Sequence, residues 1–411
     1  MSIPLPNPVS PAPGSFWRRL VETRKCLRAL KGSQSAGVNE PDSWGVRPKV
    51  SVMLITYNHE RYVRQALDSI LMQKRDFEIE INVIDDASTD RTQDIVREYE
   101  KNNPGLINCY FNPVNAGHIA TQLNTIRGFQ TLRGEYFALL EGDDYWTDDK
   151  KLSTQVDFLR TNGKFVACAH QTMKVFDDGS RPPEHFLPFK AFGRNHATMY
   201  DLISMAGVFH LSSVLYRNVF GLNPPPSFAD PYSCEVTINM TYGMFGDFFC
   251  LDQYMSAYRV HGDGVFSGRS LEKHWLFHLH GFRRFALYLG PSYWAMFARA
   301  ISGFSRYVLS SPRREEVPSL AMTTYALFLL HLAVAIPVCL GTSAYRFSIK
   351  YISLAWVTAC QKTNLRKRMR TVYHLLVKCL PISLIQLVLS MEAKLPRLRA
   401  ARHHLKRFLE R

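Results

Sequence analysis

"YFALLEGDDYW", residues 136–146, sets an apolar run directly against an acidic turn. Tyr136 to Leu140 has the continuous apolar character of a strand buried on both faces, and Glu141, Asp143 and Asp144 follow it at once. Carboxylates this close raise one another's pKa, so solvent or a cation has to compensate them. The strand is one of a series. "VSVMLITY" (50–57), "IEINVIDD" (79–86) and "LINCYFN" (106–112) are further β-rich runs. Between the first two, Val63, Ala66, Leu67, Ile70 and Leu71 recur at the spacing of one helix face. "ASTD" (87–90) offers Ser88, Thr89 and Asp90 as caps for a helix carrying Ile95, Val96 and Tyr99, and another helical stretch is expected near 118–132. Buried strands alternating with amphipathic helices predict an α/β fold, with a mostly parallel sheet and flanking helices.

Ligands of such sheets bind beyond the carboxyl ends of the strands. Thr56-Tyr57-Asn58, Asp85-Asp86 and Glu141-Asp143-Asp144 each follow a strand at that end, so polar clusters converge on one rim. The usual phosphate loops are missing: there is no GxxxxGK[ST], and no GxGxxG follows Tyr57. A diphosphate held here calls for a hard divalent cation, Mg2+ or Mn2+, bridging carboxylate and phosphate oxygens.

Length and composition frame this domain. The chain has 411 residues, 46% of them hydrophobic, which excludes a disordered protein and leaves room for more than one domain. Eight scattered cysteines form neither a CxxC pair nor a zinc-ligand spacing, so they read as reduced thiols without disulfides. The proline-rich opening "MSIPLPNPVSPAPG" reads as a disordered arm with no export signal. The basic "SFWRRLVETRKCLRALKG" (15–32) then reads either as a helix packed on the main domain or as an interfacial one.

Five segments in order, "VSVMLITYNHERYVRQALDSIL", "VIDDASTDRT", "NAGHIATQLN", "GEYFALLEGDDYW" and "YRVHGDGVFS", resemble the family 2 glycosyltransferases of the GT-A fold. The resemblance covers about residues 49–270. It implies a Rossmann-like GT-A domain that transfers a sugar from a nucleotide donor, a UDP-sugar first, with inversion, using a divalent metal. By position, the nucleotide lies against Thr56, Tyr57 and Asp86. Asp143 serves the metal and donor diphosphate, beside Asp144 and Glu141, the latter standing where Asp is frequent. His261 reaches metal or diphosphate, and Arg259 neutralises phosphate. Glu235 takes the place of the general base, with Cys234-Glu235 where the family has Gly-Asp; Asp230 and Asp247 are its rivals. "FHLSSVLYR" (209–217) resembles the strand under the acceptor, where His210, Ser212 and Ser213 face sugar or are simply buried. Trp146 stacks on a sugar or anchors the loop.

The C-terminal part, 271–411, is expected to be helical, basic and membrane-associated, as 1–48 is expected to be an arm with a basic amphipathic helix. Residues 346–411 hold 15 Lys or Arg against Glu392 and Glu410, a net +13. From Val317 to Tyr345 no residue is formally charged apart from His331, and "LLVKCLPISLIQLVLSM" (375–391) is a second apolar stretch. Apolar faces beside clustered Arg and Lys favour an anionic membrane surface over nucleic acid, for which no motif is present. The expectation is a transferase peripheral to the cytoplasmic face, with at most one inserted helix, extending a lipid-linked glycan of the cell surface. A polyprenyl-phosphate sugar synthase and a non-catalytic nucleotide-sugar-binding scaffold are the alternatives.

Overall fold

The computed structural model describes residues 49–113, 115, 126–186, 194–204, 208–262 and 271–293, together with 20–23, 26, 296, 297, 300 and 301. The chain divides into two units, 1–304 and 305–411. The second unit, which holds the apolar stretches 317–345 and 375–391 and most of the basic residues near the C-terminus, lies outside the described residues. So do the proline-rich arm and most of the helix read at 15–32. No helix among the described residues is long and apolar enough to cross a membrane.

The first half follows the alternation read from the sequence. Strand β1 (Val50–Thr56), helix α1 (Val63–Leu71), β2 (Ile79–Asp85), α2 (Thr92–Asn102), β3 (Ile107–Phe111) and β4 (Tyr136–Glu141) come in that order. β1 pairs in parallel with both β2 and β4, and β2 with β3. Helix α1 buries Val63, Ala66, Leu67 and Ile70 on the sheet. Each large aliphatic among them contributes about 1.5–3 kcal/mol of transfer free energy. Every position of β2 is buried, Glu80 included, whose carboxylate accepts from Ser51 Oγ at 2.5 Å and Arg133 Nε at 2.7 Å.

The second half is mixed. β5 (Tyr145–Trp146), α3 (Lys151–Thr161), β6 (Phe165–Phe176), β7 (Glu184–Phe186), β8 (His196–Ala197), α4 (Met199–Ser204), β9 (Leu215–Arg217), α5 (Glu235–Tyr242), β10 (Asp247–Val260) and α6 (Leu271–Leu289) complete the described elements. The ten-stranded sheet runs β3-β2-β1-β4-β9-β6-β10-β5, with β7 on β6 and β8 on β10. Its long ladders are parallel and its short ones antiparallel, so the fold is α/β as expected. The segment 209–217 is only partly a strand. Ser213 turns back on His210, its N–H and its hydroxyl both donating to the His210 carbonyl, and a 3₁₀ turn over Leu211–Ser213 replaces the first strand residues.

Candidate active site

Topology explains why distant residues meet. β9 is antiparallel to both β4 and β6, while β10 is parallel to β6, so β1, β2, β4, β6 and β10 all end on one rim. Leu215 opens β9 opposite Ala138, which brings the preceding His210–Ser213 turn to the carboxyl end of β4. The acidic turn therefore faces Tyr57–His59 after β1, His210 before β9, and Arg259 and His261 at the end of β10. Gly142 makes the turn possible. A Cβ there would lie 2.8 Å from His59 Nδ1 and 2.8 Å from Thr56 Cγ2.

Within the turn, the two aspartates face different surroundings. Asp143 Oδ2 lies 3.0 Å from His261 Nε2 and 3.6 Å from His59 Nε2. Burial pushes the Asp143 carboxyl up, but the His261 hydrogen bond and the His59 charge outweigh it and leave the group below the ordinary range. Asp144 is 1% exposed; its Oδ1 accepts from the Arg259 N–H at 2.9 Å, and its Oδ2 lies 3.7 Å from His210 Nε2. Burial, then Asp143 and Glu141, raise Asp144 well above an ordinary carboxyl. Glu141 is pushed up to about 8 by burial and by the charges of Asp143 and Glu235. Burial holds His210 down to about 4, a neutral imidazole at pH 7.

These residues fit a divalent cation. Asp143 Oδ1 and Asp144 Oδ2 are buried oxygens that receive no hydrogen bond. Glu141, Asp144 and His210 each offer a ligand atom within 4.8 Å of the others, the one such cluster among the described residues. The expected metal set was Asp143, Asp144, Glu141 and His261. The structure groups Glu141 and Asp144 with His210, which the sequence resemblance places at the acceptor, and pairs Asp143 with His261. His59 was not singled out from the sequence at all.

Several expected ligand contacts are spent within the protein. Thr56 is buried and donates its hydroxyl to Asp85 Oδ2 at 2.9 Å, so that hydroxyl braces the rim. Arg259 donates through Nε to the Asp143 carbonyl at 2.9 Å and through its other nitrogens to Asp177 and Gln65. These bonds tie Arg259 to the acidic turn. Trp146 is 1% exposed, its Nε1 donating to the Ser212 carbonyl and Lys151 Nζ lying 4.2 Å over its ring. It is the packing anchor of the turn, with no open face for a sugar. Ser213 is fully buried in its own turn. Ser88 bonds Asp85 and Asn58, so of the expected caps only Asp90 serves the start of α2, accepting from the Thr92 N–H at 2.9 Å. Tyr57 is 40% exposed on the rim, and Asp86 sits below it, accepting from Asn112 Nδ2 at 3.3 Å.

Glu235 opens α5, and its charge acts on Glu141 and on Tyr258 at the rim. Burial raises its pKa, partly offset by backbone N–H at the helix start. Of its rivals, Asp230 is fully buried, with Arg284 Nε at 2.7 Å and Tyr288 OH at 2.6 Å from its Oδ2. Asp247 starts the 14-residue β10, at the opposite end from Arg259. Gly246 just before it backs onto the Lys164 carbonyl, which a Cβ would approach to 2.8 Å.

The profile described as "Glycosyl transferase family 2" matches residues 51–216, which span β1 to β9 and the acidic turn. Residues 51–216 are thus similar to glycosyl transferase family 2. Among similar proteins, the chain is 32% identical over 216 residues to the uncharacterized protein Rv1520 of Mycobacterium tuberculosis, covering 53% of this chain and 60% of that one. It is 32% identical over 113 residues to TuaG of Bacillus subtilis, covering 28% of this chain and 42% of that one. The chain thus spans less than two thirds of either relative. Among solved structures, S. aureus TarS with UDP is 15% identical with a TM-score of 0.47, covering 76% of this chain and 92% of that chain. A mannosyltransferase from Pyrobaculum calidifontis, with GDP-Man and Mn2+, is 16% identical with a TM-score of 0.43, covering 87% and 93%.

Proposed function

We propose that this chain is a family 2 glycosyltransferase that moves a sugar, with inversion, from a nucleotide-sugar donor to a hydroxyl of a lipid-linked glycan in cell-surface polysaccharide synthesis. The observation that carries the reading is the rim itself: Asp143 and Asp144 with buried oxygens open to a cation, and Glu235 close enough to act on Glu141. Tyr57 and Asp86 take the nucleotide, a UDP-sugar first. A divalent cation, when bound, supplies charge neutralisation for the departing diphosphate, held by Asp143, Asp144 and Glu141, with His261 orienting Asp143. Glu235 accepts the proton of the acceptor hydroxyl as its oxygen attacks the anomeric carbon and the bond to the diphosphate breaks. A base whose pKa is raised by burial holds that proton better as the nucleotide diphosphate leaves.

The cell-surface glycan is supported by TuaG, whose name assigns it provisionally to teichuronic acid biosynthesis. The basic C-terminal stretch supports docking on the cytoplasmic face of an anionic membrane, as a peripheral region 271–411 attached to the GT-A domain 49–270. The test is transfer from a panel of UDP- and GDP-sugars to lipid-linked acceptors, with product stereochemistry read by NMR. Glu235→Gln and Asp143→Ala should each lower turnover by about 10²–10⁴-fold while melting stays cooperative. Full activity in the Glu235 variant would refute that base, and a product formed only on polyprenyl phosphate would identify a synthase instead.

A further inference from the structure

We propose that His210 is a nitrogen ligand of the cation, completing Glu141 and Asp144, and that it tilts the site toward Mn2+ over Mg2+. This rests on the cation-dependent reading above and specifies which side chains form the site. His210 Nε2 and Asp144 Oδ2 stand 3.7 Å apart, too far for a hydrogen bond. Two ligands on one cation with bonds of about 2.1 Å lie no more than about 4.2 Å apart, so the gap is the right size to share an ion. Asp144 Oδ2 is buried and receives no hydrogen bond, although the His210 imidazole lies opposite it.

The imidazole is aimed by a chain of hydroxyls. His210 Nδ1 lies 2.8 Å from Ser212 Oγ, Ser212 Oγ donates to Ser256 Oγ at 3.0 Å, and Thr172 Oγ1 lies 3.0 Å from Ser256 Oγ. Ser212 engages Nδ1 through its Oγ at 2.8 Å and its N–H at 3.4 Å, so Nε2 is the ring nitrogen left toward Asp144; ligation through Nε2 places the ring proton on Nδ1, where Ser212 Oγ accepts it. Tyr258 at 4.6 Å and Phe186 at 5.0 Å between ring centroids hold the ring plane. An outer hydrogen bond that fixes the tautomer and orientation of a histidine is the usual companion of metal ligation. Mg2+ takes oxygen and parts reluctantly with water, whereas Mn2+ accepts imidazole more readily, which sets the direction of the preference.

Electron spin-echo modulation of Mn2+ bound to the purified full chain reads nitrogen in the coordination sphere directly. Nitrogen modulation is expected in the wild type and in His261→Ala, and none in His210→Gln, whose Mn2+ affinity should fall about tenfold or more while Mg2+ affinity changes less. Modulation that survives in His210→Gln and vanishes in His261→Ala would overturn the assignment. Bound Mn2+ without nitrogen modulation in the wild type overturns it too, yet leaves the cation-dependent transferase standing. No Mn2+ binding, with or without UDP, overturns both. Should His210→Gln fail to melt cooperatively, Ser212→Ala keeps the question open to measurement: a loss of about tenfold in Mn2+ affinity with altered modulation supports the proposal, and unchanged binding contradicts it.

Discussion

Two acidic clusters occupy the same rim and meet opposite fates. Asp85, at the end of β2, is fully buried, and its oxygens accept from Thr56 Oγ1, Ser88 N and Oγ, and Gln93 Nε2. Around it, Asn58 N donates to Ser88 Oγ, Glu60 N to Asp90 and Arg91 N to Glu60, stitching the loops after β1 and β2 together. On the same rim, the turn after β4 keeps buried oxygens on Asp143 and Asp144 without any donor. Buried polar groups are nearly always paired. A carboxylate with every lone pair answered is architecture, and the open oxygens of Asp143 and Asp144 are what the proposed cation site rests on.

The sharpest stability test of that distinction removes Asp85. Asp85→Ala would leave the Thr56 hydroxyl, the Ser88 N–H and the Gln93 amide without their acceptor, and should cost roughly 3 kcal/mol or more. Urea unfolding measures it; a cost near zero would mean that the bracing is incidental. Asp144→Asn should act in the reverse sense. It removes one of three crowded acids yet keeps an oxygen for the Arg259 N–H, so the metal-free protein should gain about 1–2 kcal/mol. The melting-temperature rise on adding Mn2+ should shrink in the same variant. A destabilised Asn variant would place Asp144 with Asp85 on the structural side.

What the sequence made legible follows the same division. Continuous apolar runs and helical spacing read β1, α1, β2 and β4 because burial on the sheet leaves a mark along the chain, and the acidic turn was visible because it breaks a strand. His59 left no such mark. It reaches Asp143 only because Asn58 adopts a left-handed conformation with φ of 53°, turning the chain back over the rim. Arg259 beside His261 suggested phosphate, but the partners that occupy it lie 82 to 194 residues away. Linear spacing carries no record of such contacts. Trp146 had two readings of equal chemical merit, and burial under Lys151 chose between them.

Lys151 offers the smallest and finest test, because it lies between the two cases. It is fully buried behind the acidic turn, with its Nζ on Gln155 Oε1 at 2.8 Å and over the Trp146 ring. It is paired, but with neutral partners, so burial still holds it down to about 7. An unfolded lysine titrates near 10.4. Between those values the unfolded chain binds the extra proton, so the contribution of Lys151 to stability rises with pH from about 7 toward about 10, and is flat below. Between pH 7 and 8 the gain should be about 1 kcal/mol, a slope absent from Lys151→Met. If wild type and variant show parallel stability across that interval, the ammonium stays charged in the fold, and the Trp146 face with Gln155 compensates it as fully as donors compensate Asp85.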